Sequence, residues 1–264
     1  MREPSDTAYR SDLLDVARAA QRVIRADLEP WLRARLDGGR FDGLGDELKA
    51  LFNRIRIKTE KRVDATADAN AARFVRDQEQ RNRAAMNEQY RSVLRIDPFK
   101  GSKGFEQVMR RRVRENVELI TSIPEELLDQ VEDVVRPAVT AGTRVEDIMR
   151  DVRERFSVSD NRAQLIARDQ VGKFNGELAA ERAQDLGVES YVWSTSKDIR
   201  VRLDHAEHEG KVFRYDAPPV VDVRTGRRGN PGDDYQCRCQ ALPRVDALLD
   251  ALGIDDVDVV EDDS

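Results

Sequence analysis

Leu13, Val16, Ala17, Ala20, Val23, Ile24, Leu28, Trp31, Leu32 and Leu36 recur three and four residues apart, the spacing of one helical face. The stripe predicts a helix that stops at Gly38-Gly39, with a glycine-rich turn from Asp37 to Gly45. From Asp46 to Leu94 there is neither proline nor glycine, and Leu48, Leu51, Phe52, Ile55, Val63, Phe74, Val75, Met86, Tyr90, Val93 and Leu94 form an intermittent stripe. Apolar residues thin out between Arg76 and Arg91, where Asn, Gln and Arg dominate. A long helix with a solvated or partner-facing middle accounts for this pattern.

Asp97 to Gly104 contains a proline and two glycines and reads as a loop. Ser122 with Glu125, and Thr143 with Glu146, have the spacing of capping boxes, and Ser159 suits an N-cap. Gly187 offers a C-terminal stop. The punctuation predicts helices over 105–121, 124–140, 144–155 and 160–186. Beyond Gly187 the period shortens, and Tyr191 to Thr195 and Lys211 to Phe213 read as strands. Ala217 to Asp234, with three prolines and three glycines, reads as an irregular excursion. A short helix from Val245 to Leu252 and a disordered acidic tail, Asp255 to Ser264, complete the expectation.

The implied fold is mainly α with a small C-terminal α+β domain and an elongated helical N-terminal region. Its segments are a helical region with the long helix (1–104), a helical connection (105–155), an α+β domain (156–246), and the short helix with its tail (247–264). Composition agrees: 39% hydrophobic, 6% aromatic and 36% charged residues suit exposed helices better than one thick core. The net charge of −6 does not advertise nucleic-acid binding. No apolar run follows the N-terminus and no stretch approaches a membrane span. Two cysteines one residue apart cannot staple distant segments, so the expectation is a protein of a reducing cytoplasm.

The chemistry-bearing residues are gathered. Both histidines and both cysteines lie in Asp198-x-Arg200-x-Arg202-x-x-His205-x-x-His208-x-Gly210 and Cys237-Arg238-Cys239. His205, His208, Cys237 and Cys239 would supply the four nitrogen and sulfur ligands of a structural tetrahedral zinc. The competing reading is two packed thiols beside a hydrogen-bonded histidine, with no cofactor. A catalytic zinc would need an open position and a base, for which Asp204 and Glu207 are the candidates. Asp198, Arg200 and Arg202 share a face if the segment is extended, and with Arg238 suggest an ion-pair network reaching Arg168 or Asp169. Arg110, Arg111, Arg112 and Arg114 form the densest basic patch, read as a solvated helix surface or as contacts to DNA or an acidic partner. Ser194-Thr195-Ser196 lacks the downstream glutamate motif of an ADP-ribosyl transferase, and Gly226 to Gly232 lacks a Walker lysine.

From about Phe105 to Arg244 the chain resembles the phage Mu F-like head morphogenesis family, the minor head proteins of tailed phages. The resemblance begins at Arg114-Glu115-Asn116-Val117-Glu118-Leu119-Ile120 and Ile123-Pro124, and continues through Ala141-Gly142 and Arg162-Ala163-x-x-Ile166-Ala167-Arg168-Asp169-Gln170 to Asn175. It closes on Tyr191-x-Trp193, Asp198-x-Arg200-x-Arg202-x-x-His205, Gly210-Lys211-Val212-Phe213 and Cys237-Arg238-Cys239. His208 stands where the family tends to carry an aliphatic residue, and Gln236 where it commonly carries asparagine.

The resemblance implies a non-enzymatic minor capsid protein, present in few copies inside the virion head near the portal vertex and made in the host cytoplasm. It would act in head assembly, DNA packaging or ejection. Its partners would be the portal protein, the major capsid or scaffolding protein, and packaged DNA, with no membrane. The 25 residues after Cys239 are too few for the toxin domain that some relatives carry there. Two alternatives stay open: a zinc-dependent hydrolase or nuclease using His205, Cys237 and Cys239, and a non-catalytic DNA-binding internal virion protein.

Overall fold

The computed structural model describes residues 4–36, 44–94, 103–245 and 247. Four long helices dominate them: α1 (Pro4–Leu36), α2 (Leu44–Leu94), α3 (Lys103–Thr140) and α4 (Val145–Asp185). Short elements follow: β1 (Ser190–Ser194), α5 (Leu203–Ala206), β2 (Val212–Arg214), β3 (Val220–Asp222), β4 (Arg227–Arg228) and β5 (Gln240–Pro243). The fold is therefore mainly α with a small C-terminal region of antiparallel strands. Most of the expected turn at 37–45 and loop at 97–104, and nearly all of the C-terminal helix and tail, lie outside the described residues. No described helix is long and apolar enough to cross a membrane.

The chain forms two compact units, residues 1–75 with 111–168, and residues 76–110 with 169–264. In the first, the α1 stripe is buried as its periodicity predicts. Ile24, Leu28 and Leu32 pack with Leu48, Phe52 and Ile55 of α2, Leu128, Val131 and Val135 of α3, and Ile148, Met149 and Val152 of α4. Each such side chain contributes about 1.5–3 kcal/mol relative to exposure. A buried polar contact anchors α1 in this unit, where Tyr9 stacks on Phe74 with ring centroids 3.9 Å apart. Its hydroxyl donates to Asn116 Oδ1 at 2.6 Å.

Two expected helix breaks do not occur. α3 runs through Ser122 and Pro124, and α4 runs through Ser159. The Ser122 hydroxyl donates to the Leu119 carbonyl at 2.8 Å, one turn back, instead of capping a new helix. Burial decides both cases. Ile123, Leu127, Leu128, Phe156 and Ala163 all lie inside the unit, and breaking either helix would expose them. The stop at Gly187 does occur: its φ is +79°, and the Val188 N–H donates to the Ala183 carbonyl at 2.9 Å.

In the second unit, β1 is the centre of a three-stranded antiparallel sheet ordered β2-β1-β5. Tyr191 faces Phe213 on one side and Pro243 on the other, and Ser194 faces Gln240. The alternation of Tyr191 and Trp193 buries both rings against Tyr215, Val221, Cys237 and Cys239. The excursion at 217–234 is more ordered than its prolines suggest, because β3 and β4 pair as a two-stranded ribbon. Asp222 makes the turn, its Oδ1 accepting the Arg224 and Thr225 N–H groups at 3.0 and 3.2 Å.

One face of the polar stretch of α2 is solvated, with Arg76, Gln80, Arg81 and Glu88 exposed, while another meets α4. Asn82 donates to the Asn175 carbonyl at 3.3 Å, and Arg182 donates to Glu79 Oε1 at 2.9 Å and also reaches Asn82 Oδ1. Glu79 and Asn82 thus meet α4 of their own chain, and the expected solvated face is the one that carries Arg76, Gln80 and Arg81.

Candidate functional site

The sheet places two loops at one end. The chain leaving β1 at Ser194 turns into α5, and the chain entering β5 at Gln240 has just passed Cys237-Arg238-Cys239. Because Ser194 and Gln240 are paired, the two loops meet. His205, on α5, thereby points its Nδ1 at both sulfurs, 3.5 Å from Cys237 Sγ and 3.6 Å from Cys239 Sγ. These three donor atoms lie within 4.8 Å of one another. His205 is 2% exposed and each cysteine 8%. Both thiols are free.

The other imidazole nitrogen is held from behind. His205 Nε2 lies 3.2 Å from Asp234 Oδ2. That carboxylate is fixed by Arg202 at 2.7 Å, by Arg227, and by the Tyr235 N–H at 2.6 Å. Burial pushes the Asp234 carboxyl up, but Arg227, Arg202 and the Tyr235 N–H together hold it below the usual carboxylate range. A carboxylate accepting from Nε2–H leaves Nδ1 to face the sulfurs.

The thiols are unequal. The Cys237 thiol is held far below its ordinary value by hydrogen bonding with Cys239 and then with His205, against the effect of burial. Cys239 is pushed up by the same pairing and by burial. The Cys239 N–H also donates to Cys237 Sγ at 3.4 Å. His205 is raised, first by its hydrogen bond to Cys237 and further by Asp234, while burial lowers it. The set can therefore act in two ways, as three donors for a soft or borderline metal ion or as a thiolate beside a histidine and an aspartate.

The other residues singled out by the sequence separate in space. His208 lies beyond the end of α5, and its Nε2 donates to the Val220 carbonyl at 2.8 Å; it stands apart from the three-donor cluster. Asp198, Arg200 and Arg202 do not share an extended face, since 198–201 form a bend and turn. Arg238 donates to both oxygens of Asp198, at 2.6 Å for Oδ1, whereas Arg202 goes to Asp234 and the Tyr235 carbonyl. Asp169 accepts the Gln236 N–H at 2.8 Å, and its other oxygen meets Lys173 at 2.6 Å. Asp204 accepts the Val223 N–H at 2.9 Å, and Glu207 is exposed. Gly210, with φ +72°, returns the chain to β2, its N–H donating to the Trp193 carbonyl at 2.8 Å. On α3, Arg110 pairs with Glu106, and Arg111 and Arg112 with Glu115, while Arg114 is exposed.

Two contributors escaped the sequence reading. Asp234 sits among other acidic residues with nothing to mark it. Gly172 and Gly176 are one turn apart on α4, and they let the Pro231–Cys237 loop lie against the helix backbone. A Cβ at Gly172 would stand 3.0 Å from the Cys237 carbonyl oxygen, and one at Gly176 would stand 2.5 Å from that of Pro231. Two glycines at helical spacing inside a long helix are the signal that was available.

A curated protein of Haemophilus influenzae, described as an uncharacterized protein, is 37% identical over 131 residues, covering 50% of this chain and 28% of that protein. The chain thus spans less than a third of that relative's length. No solved structure matches the chain. The family model described as Phage Mu protein F like protein matches residues 129–242, so the motif at 114–120 lies ahead of the matched region. The matched residues hold His205, Asp234, Cys237 and Cys239, so the part of this chain that is similar to phage Mu F-like proteins includes the cluster.

Proposed function

We propose that this chain is a structural phage head protein, a minor capsid protein acting in head morphogenesis and seated inside the head at the portal vertex. The Mu F-like match over residues 129–242 carries the reading. The site supports a structural role. Its three donors are buried, and Asp204, a candidate for a catalytic base, is occupied with the Val223 N–H. Asp198 and Asp234 are likewise occupied by Arg238, Arg202 and Arg227.

The partner of first choice is the portal protein, with the major capsid or scaffolding protein and packaged DNA as further contacts. Removing residues 1–100 would delete α1 and all of α2, and with them the side chains they place in the core shared with α3 and α4. The full chain is therefore the right probe. Co-sedimentation with the portal protein of its own phage, followed by analysis of purified virions, tests the reading. Binding, with the chain recovered from heads, is the expected result. Absence from virions would overturn it.

A second reading, a zinc-dependent hydrolase or nuclease, has one observation in its favour: the cluster offers three protein donors, and a tetrahedral zinc held by three would keep one position for water. Metal-dependent cleavage of DNA by the full chain, lost in Asp234→Asn, would move the assignment to that class.

A further inference from the structure

The three donors stand at metal-binding distances. Zinc bonds of about 2.3 Å to sulfur and 2.0–2.1 Å to nitrogen, opened to the tetrahedral angle, set nitrogen and sulfur about 3.5 Å apart. The structure places His205 Nδ1 at 3.5 and 3.6 Å from the two sulfurs.

We propose that His205 Nδ1, Cys237 Sγ and Cys239 Sγ bind one zinc ion, with Asp234 as the positioning residue behind His205 and an exogenous donor in the fourth position. This goes beyond the head-protein reading and does not depend on it. Asp234 supplies what a zinc-bound histidine requires on its far nitrogen, a carboxylate that fixes the ring and its tautomer. Arg202 and Arg227 in turn keep that carboxylate in place. The ion would tie α5, which follows β1, to the segment that enters β5, closing the end of the sheet without a disulfide. A reactive thiolate is the weaker use of the same atoms. Such cysteines are partly exposed, whereas here both sulfurs are buried and both face the same nitrogen. His208 is outside the ligand set because its ring nitrogens do not join the three donor atoms that lie within 4.8 Å of one another.

The test is zinc content of the purified full chain by elemental mass spectrometry after dialysis against metal-free buffer, with cobalt substitution of the same protein. Zinc equimolar with the chain is expected, as is a cobalt form showing thiolate-to-metal charge transfer and tetrahedral visible bands. Asp234→Asn should weaken zinc affinity roughly 10- to 100-fold, and His208→Ala should retain the ion. Should Cys237→Ser fail to fold, the cobalt spectrum of the unmutated chain decides sulfur ligation on its own. A folded, metal-free protein that takes up neither zinc nor cobalt, or one in which a single thiol alkylates rapidly, would overturn the proposal. Loss of zinc in a folded His208→Ala variant would overturn the ligand set. Portal binding plays no part in these readouts, so failure here and failure of the head role are separable.

Discussion

Gly176 of α4 faces the Pro231 carbonyl oxygen so closely that a Cβ would stand 2.5 Å from it. That carbonyl belongs to backbone and cannot swing aside as a flexible side chain would. Gly176→Ala should therefore displace the loop that carries Asp234 and Cys237. The expected loss is about 1–3 kcal/mol from overpacking, set against roughly 1 kcal/mol gained in helix propensity. Gly45→Ala is the control, since nothing lies within 4 Å of its added Cβ. Urea denaturation should show Gly176→Ala destabilised and Gly45→Ala neutral or slightly stabilised. Equal midpoints would mean the close approach does not constrain the loop.

Arg182 is 3% exposed and stacks over the Phe105 ring at 4.5 Å while bonding Glu79 and Asn82. Burial lowers its pKa to about 10 even though Glu79 opposes the shift. Removing only the compensating carboxylate should be worse than removing the charge. Glu79→Ala is expected to cost about 3 kcal/mol, and Arg182→Met less, because methionine keeps the packing and the carboxylate it leaves at Glu79 is more exposed than the guanidinium. Denaturant midpoints of the two variants check the order. The reverse order would show that the guanidinium contributes more through its hydrogen bonds than its burial costs.

Tyr9 and Asn116 are more than a hundred residues apart and both buried, and Tyr9→Phe would leave Asn116 Oδ1 without its donor. The ring stack on Phe74 survives the substitution. A loss of about 1–3 kcal/mol is expected. Combining Tyr9→Phe with Asn116→Leu should recover part of it, since neither group would then be left unsatisfied. A double-mutant cycle by thermal melting measures the coupling.

How far these features could be read in advance depended on what each residue answers to. The α1 stripe and the Tyr191–Trp193 alternation were legible because burial follows periodicity directly. The false helix breaks at Ser122 and Ser159 arose because capping residues also occur within helices, and only the packing of Leu127 or Phe156 decides between the two. The His and Cys cluster stood out by scarcity, whereas Asp234 and the Gly172–Gly176 notch become visible only when loop and helix are in place. His208 shows the limit of reasoning from spacing. Three residues from His205 suggested a shared face, but α5 ends at Ala206 and the His208 ring goes to the Val220 carbonyl.

Asp198 is held down to about 2, first by Arg238 and then by the Arg200 N–H. Its pKa is depressed on folding, so its stabilising contribution is present above the unfolded value and is lost as pH falls through the folded one. The melting temperature of the wild type should exceed that of Asp198→Asn at neutral pH. The gap should narrow from about pH 4 downward and close near pH 2. A gap independent of pH would assign the effect to shape and not to charge.

Gln236 has φ +53°, in the left-handed region that costs most side chains about 1–2 kcal/mol. Asparagine enters that region more readily than glutamine. The backbone contact to Asp169 at 2.8 Å runs through the Gln236 N–H and would survive a change of side chain. Gln236→Asn should stabilise the protein by about 0.5 kcal/mol, and Gln236→Gly by a similar amount once the entropy of glycine is counted. Gln236→Val should do the opposite, because a β-branched side chain tolerates positive φ worst. Thermal melts of the three variants give the ranking. If valine proved neutral, the loop would have to reach its conformation without strain at this residue.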